Sequence, residues 1–192
     1  MSDTVAEQIA ALRDEDWGVR EDAATALGVA QDSRAVLPLI RLLRDTDRAV
    51  REAATGALVK IGTQSVAELI LALNDSQATV QECVAGILAQ VGDERAVEPF
   101  VALLDHKNWI LRMHASCGFG RIGHPRAVEP LIPLLQDTVK AVRNEAAQAL
   151  GTLGKTAFPQ LLEALSHREW LVRLHAVEAM GKIRAREAVA PL

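Results

Sequence analysis

Two nine-residue stretches carry the side chains best suited to chemistry. Residues 106–114 read HKNWILRMH and residues 167–175 read HREWLVRLH, a shared H-x-x-W-x-[LV]-R-x-H pattern. The first supplies His106, Trp109, Arg112 and His114; the second supplies His167, Trp170, Arg173 and His175. Imidazole can relay protons or bind a metal. Guanidinium grips carboxylates in a two-point fork. Trp and Arg are favoured anchors of binding surfaces. Met113 and Leu174 follow the tryptophans by four residues, the helical spacing at which each can cover its ring.

Positioning such residues requires a regular frame, and the chain has one. An apolar residue followed by Arg or Gln recurs at Val19, Val50, Val80, Leu111, Val142 and Val172, spaced 31, 30, 31, 31 and 30. A second anchor recurs at Ala35-Val36, Ser65-Val66, Ala96-Val97, Ala127-Val128, Ala157-Phe158 and Ala188-Val189. Six units therefore tile residues 1–33, 34–63, 64–94, 95–125, 126–155 and 156–187, and a partial seventh occupies 188–192. A fixed period of this length marks a repeat architecture. The unfinished seventh unit favours a longer natural array.

Each unit is helical twice over. Take the first anchor as offset zero. Apolar residues then fall at +4, +7, +8 and +11, for example Ala146, Ala149, Leu150 and Leu153. At 100° per residue these gather on one face. Glycine at +12 (Gly62, Gly92, Gly123, Gly154) suits a helix end. Pro38, Pro99, Pro130 and Pro191 share a column near the start of the first helix, where a missing N–H is tolerated. Pro133 lies deeper and should kink its helix. No unit of about 30 residues buries its own apolar stripe, so stacked units must do so together. The chain is read as a single all-α domain over 1–192, an α-solenoid.

Columns separate scaffold from specialisation. Offset −5 holds Asp14, Asp45, Asp75, His106, Asp137 and His167, and offset +1 holds Arg20, Arg51, Gln81, Arg112, Arg143 and Arg173. This predicts an Asp–Arg ladder with a structural role. All three tryptophans (Trp17, Trp109, Trp170) occupy offset −2. At +3, Glu145 lies between His114 and His175 in the repeat order, placed to bridge them. The +6 residues Gly56, Gly86 and Cys117, with Gly118 and Gly120 nearby, predict close approach by a helix or a shallow hollow for a flat ligand. The expected contact set for a partner or ligand is Trp109, Arg112, Met113, His114, Glu145, Trp170, Arg173 and His175. A metal site from Cys83, His114, Cys117 and Glu145 is the sharper alternative. A cysteine side chain is short for a reach across repeats, so the thiols are read as small apolar groups and no metal is expected.

Composition narrows the class. Of 192 residues 49% are hydrophobic but only 3% aromatic, which fits aliphatic helices rather than a β-sandwich. The net charge of −4 lacks the footprint of a nucleic-acid binder. Residues 1–32 hold eight acids against Arg13 and Arg20, whereas residues from 155 onward hold six bases against four acids. Two separated cysteines read as reduced thiols. With neither a signal-like N-terminus nor an apolar span, a cytoplasmic protein without membrane insertion is expected.

The strings GDERAVEPFVALL, AVREAATGALVKIG and AVRNEAAQALGTLG resemble HEAT-like repeats of the bacterial phycobilisome-lyase type. The resemblance implies a right-handed superhelix with first helices outside and second helices lining a concave groove. Two functions follow, the first from the regular solenoid and the absence of a catalytic constellation, the second from the resemblance. One is a non-catalytic scaffold holding a protein partner in that groove, with no cofactor and no catalytic residues. The other is a phycobilin lyase-like protein handling an open-chain tetrapyrrole. Deoxyhypusine hydroxylase is built of similar repeats, but its His-Glu pairs have no counterpart here; the nearest is Asn144-Glu145. HEAT-like DNA glycosylases need a basic groove, against which the acidic first half argues.

Overall fold

A computed structural model describes residues 3–189. Those residues form twelve α-helices linked by turns and short 3-10 segments, with no strand among them. The chain divides into two compact units, residues 1–93 and 94–192. The division falls where the third repeat gives way to the fourth.

The first unit contains α1 (Thr4–Ala11), α2 (Trp17–Ala30), α3 (Val36–Leu42), α4 (Arg48–Ile61), α5 (Val66–Ala72) and α6 (Ala78–Val91). The second contains α7 (Val97–Leu103), α8 (Trp109–Ile122), α9 (Val128–Leu131), α10 (Lys140–Leu153), α11 (Phe158–Ala164) and α12 (Trp170–Val189). Odd helices are the short first members of each hairpin and even helices the long second members. In both units the long helices stack on one another, α2 on α4 and α8 on α10 on α12.

The apolar columns form the core. Leu27, Leu58 and Leu88 of the first unit are fully buried, as are Phe119 and Leu150 at the same offset in the second. Their first-helix counterparts Leu39, Leu69, Phe100, Leu131 and Leu161 are buried equally. Local chemistry sets the boundaries. Asp16, Asp47 and Asn108 accept N–H groups at the starts of α2, α4 and α8. Gly62, Gly92, Gly123 and Gly154 all take positive φ at the ends of α4, α6, α8 and α10. Repeat 1 has Gln31 in this slot, also left-handed at φ 51°. Pro133 interrupts its helix: α9 stops at Leu131 and a 3-10 turn follows over Pro133–Gln136. The ring removes an N–H and crowds the carbonyl four residues back.

The last repeat differs. Arg184 stands where four repeats have glycine, and α12 runs on through Ala188 to Val189. The rest of the partial seventh unit, with Pro191, lies outside the described residues.

Candidate functional site

The histidines of the nine-residue pattern begin in a turn. His106 Nδ1 accepts the Asn108 N–H at 3.1 Å, and His167 Nδ1 accepts the Glu169 N–H at 3.1 Å. Asp14, Asp45, Asp75 and Asp137 accept the equivalent N–H two residues on with a carboxylate oxygen. Histidine at −5 thus replaces aspartate as the acceptor that closes the turn. With Nδ1 an acceptor, the ring proton sits on Nε2.

The arginines at +1 tie down the same turn. Arg112 Nη1 donates to the carbonyls of His106 at 2.7 Å and Lys107 at 3.3 Å. Its Nε and Nη2 grip both oxygens of Asp137 in the following repeat, at 2.7 and 2.9 Å. Arg20 does the same with Asp45. The pairs are shielded: side-chain exposure is 14% for Arg112 and 6% for Asp137. Burial alone would push the Asp137 carboxyl up. The Arg112 fork, the Val139 N–H and the nearby Arg143 outweigh it, so Asp137 lies below the usual carboxylate range. The predicted ladder therefore has paired rungs at Arg20–Asp45 and Arg112–Asp137. Asp75 instead pairs with Arg44 of the preceding repeat. A hollow of about 390 Å³ opens beside the Arg112–Asp137 pair, lined in part by His106, Lys107 and Pro133.

His175 is buried and satisfied within the protein. Its Nδ1 is 2.7 Å from Glu178 Oε2, and its Nε2 is 3.3 Å from Arg143 Nε. Arginine can only donate, so Nε2 accepts and Nδ1 carries the proton given to Glu178. The bridge expected from Glu145 to His175 is not formed, because both ring nitrogens are taken. His114 and Glu145 are half-buried.

Trp109 and Trp170 are what the pattern leaves at the surface, 40% and 60% exposed. Trp17 is exposed at the same slot in the first unit. Leu174 is exposed and Met113 half-buried. Arg173 sits at the surface with Nη1 on the carbonyls of His167 and Arg168, at 2.7 and 2.8 Å. In sequence the two patterns look like paired contact sites. In the structure most of their polar atoms build turns, and the consistent −5 acceptor column was the available signal.

The glycines beside Phe119 are occupied, not hollow. A Cβ at Gly118 would lie 2.3 Å from Phe100 Cε2, and one at Gly120 would lie 3.1 Å from Ala149 Cα. Gly56 faces open space. Cys83 is half-buried and Cys117 exposed; partial desolvation by the surrounding protein pushes both thiols up, with Glu145 adding to the shift at Cys117. That disfavours the thiolate needed by a nucleophile or metal ligand. Among the described residues no three His, Cys, Asp or Glu side chains converge to hold a metal ion. None of the described helices is long and apolar enough to cross a membrane.

A chain of stacked helical hairpins with a regular apolar register is an α-solenoid repeat protein. It belongs to the HEAT-repeat family, whose model matches residues 5–73, 66–151 and 128–192. The chain is similar to a structure of the complex of CpcE and CpcF of phycocyanin lyase from Nostoc sp. PCC7120. The two are 27% identical, with 99% of this chain and 82% of that chain covered and a TM-score of 0.63. A designed armadillo repeat protein in complex with the peptide (KR)4 has the same fold at 19% identity, 95% and 100% coverage and a TM-score of 0.55. Human deoxyhypusine hydroxylase also shares it, at 20% identity, 96% and 86% coverage and a TM-score of 0.51. A search of the curated proteins finds no match.

Proposed function

We propose that this protein is a non-catalytic scaffold that binds a partner protein through the groove lined by its second helices, anchored at Trp109 and Trp170. The exposure of these two indoles carries the reading. A 3% aromatic chain places its tryptophans in one repeat slot and leaves them in solvent. Burying an indole and excluding water around it is a common source of binding energy. Met113 and Leu174 extend the apolar contact, and Arg173 and His114 supply polar atoms at its rim. Arg112 and His175 act indirectly in this reading, by fixing the helices that present the indoles, and the half-buried Glu145 lies on the long helix between them.

The test is capture of a partner from the native cell on immobilised protein, followed by affinity measurement. Trp109→Ala with Trp170→Ala should weaken the complex about tenfold or more while the helical circular dichroism stays unchanged. Equal affinity for wild type and double variant would place the contact elsewhere.

A second reading is supported by the likeness to phycocyanin lyase, at 27% identity over 99% of this chain. In that reading the exposed indoles stack on an open-chain tetrapyrrole and Arg173 pairs with its propionates. Adding a bilin to the purified protein distinguishes the two. A shifted absorbance spectrum that Trp170→Ala abolishes supports chromophore handling, and an unchanged spectrum counts against it.

A further inference from the structure

Three arginines gather around one hollow of the first unit. The hollow measures about 270 Å³ and lies between α1 and α3, so its walls are the short first helices of two neighbouring repeats. Ile9, Leu12, Pro38 and Leu42 give it an apolar surface, and Arg13, Arg41 and Arg44 line it too, each exposed to solvent. The repeat register marks this as a specialisation. Offset −6 is arginine in repeats 1 and 2, where the later repeats have Asn74, Asp105, Gln136 and Ser166. At −9, Arg41 stands where the other repeats have Ala10, Leu71, Ala102, Pro133 and Glu163. The hollow beside the Arg112–Asp137 pair occupies the same register in the second unit, and there Asp105, Pro133 and Gln136 take the arginines' places.

These guanidiniums are available, whereas their neighbours are committed. Arg20 forks onto Asp45, Arg34 pairs with Asp3 and Asp32, and Arg48 pairs with Glu52. Arg51 donates to the carbonyls of Asp45 and Thr46. Among the described residues the side chains of Arg13 and Arg41 form no hydrogen bond or ion pair. Arg44 gives Nη2 to Asp75, and among the described residues its Nε and Nη1 make no bond. Asp45 also lines the hollow, but Arg20 holds both of its oxygens, so its charge is already answered.

The surroundings define what fits. A guanidinium grips a carboxylate in a two-point fork, and clustered arginines are a common means of recognising acidic motifs. The apolar surface between them calls for an apolar group carried along with the carboxylates, which a simple inorganic anion lacks. Exposed Asp14, Glu15 and Asp16 follow Arg13 directly, so the positive surface is small and bordered by negative charge. A long polyanion such as nucleic acid would run onto those acids. A short segment with a few carboxylates avoids them.

We infer that the hollow between α1 and α3 binds a short acidic segment of a partner protein. An apolar side chain of that segment rests on Ile9, Leu12 and Leu42, and the carboxylates flanking it pair with Arg13 and Arg41. Arg44, held by Asp75, lends its remaining donors. The inference does not rest on the tryptophan reading: every residue of this hollow belongs to the first unit, whereas Trp109 and Trp170 belong to the second.

Fluorescence anisotropy of labelled, end-capped peptides titrated with the full chain tests it. The probe carries a leucine flanked by aspartates on both sides. It should bind saturably below about millimolar concentration, and added salt should weaken it. Arg13→Gln with Arg41→Gln changes exposed positions, so binding should fall about tenfold or more with helicity unchanged. Serine in place of the leucine, or asparagine in place of the aspartates, should weaken binding in the same way. Arg13→Glu with Arg41→Glu should reject the probe and accept a peptide with lysines for its aspartates. Trp109→Ala with Trp170→Ala should bind the probe as the wild type does, which separates this site from the tryptophan surface. No saturable binding up to about millimolar overturns the inference. So does wild-type affinity in the Arg13→Gln, Arg41→Gln variant, equal affinity for the serine peptide, a comparable loss in the tryptophan variant, or tighter binding of a single-stranded oligonucleotide than of the probe.

Discussion

Phe100 and Phe119 occupy slots that hold leucine in four other repeats, and the extra volume has a local answer. Their rings meet edge to face, with centroids 5.8 Å apart and planes at 62°. Gly118 stands beneath Phe100 at an offset where the other repeats have Ala26, Ala57, Ile87, Ala149 and Ala179. Two effects compete in Gly118→Ala. Alanine gains about 1 kcal/mol of helix propensity. Against that, its Cβ would sit 2.3 Å from a fully buried ring, and overpacking costs about 1–3 kcal/mol. The ring cannot swing into solvent, so the clash wins, and urea unfolding should show a net loss of up to about 2 kcal/mol. In a Phe100→Leu background the sign should reverse, because the propensity gain remains and the clash does not. Destabilisation of equal size in both backgrounds would locate the strain elsewhere. A small residue inside this helix was legible in the sequence, but what fills its space was not. Phe100 lies on a different helix, and only the hairpin's packing brings it there. The same limit applied to His106 and His167. Their ring types pointed to chemistry, whereas their turn position makes them acceptors for a backbone N–H.

At the scale of the helices, boundaries were the most readable feature, because caps depend on a few adjacent residues. The +12 glycines all end helices at positive φ, as their spacing predicts. They fall nevertheless into two kinds. Gly92 and Gly123 lie in the left-handed helical region, at ψ 37° and 18°. Gly62 and Gly154 have ψ −132°, which a side chain strongly disfavours. The sequence carries the cause. Repeats 2 and 5 have one residue fewer between this glycine and the next anchor, Gly62 to Val66 against Gly92 to Val97. The shorter link turns directly into a 3-10 segment starting at the glycine itself. Asparagine tolerates the left-handed region but not the other. Gly92→Asn should therefore cost a few tenths of a kcal/mol, and Gly62→Asn about 1–3 kcal/mol. Thermal melts of the two variants check this, and equal losses would refute the division. Gln31, already left-handed at this slot in repeat 1, shows that a non-glycine residue is accommodated there.

Over the whole molecule, the repeat register was legible because it is written six times, each copy correcting the others. The pairing between successive repeats was less so. It depends on which side chains of the next repeat come within reach: Arg112 meets Asp137 in the following turn, whereas Arg143 meets His175 on the following long helix. Stability in such arrays is approximately a sum of repeat terms and nearest-neighbour interfaces, and about three repeats are needed for an array to stand alone. Residues 1–93 contain three repeats and are a compact unit. Within it, Gly28 lets α2 and α4 pack at close range against Ala57, and Arg20 locks the second turn to the first through Asp45. Its core of Leu27, Leu39, Leu58, Leu69 and Leu88 is fully buried. A protein comprising residues 1–93 should therefore fold by itself, with helicity per residue close to that of the same segment in the full chain. It should also unfold in a single cooperative step. Arg20→Ala should lower that transition, because it leaves the shielded Asp45 carboxylate without its fork, at a cost of about 1–3 kcal/mol. Circular dichroism with urea titration provides both readouts. A fragment that is unfolded, or that loses its helicity gradually without a baseline, would mean that three repeats do not suffice and that the interfaces beyond residue 93 are required for folding.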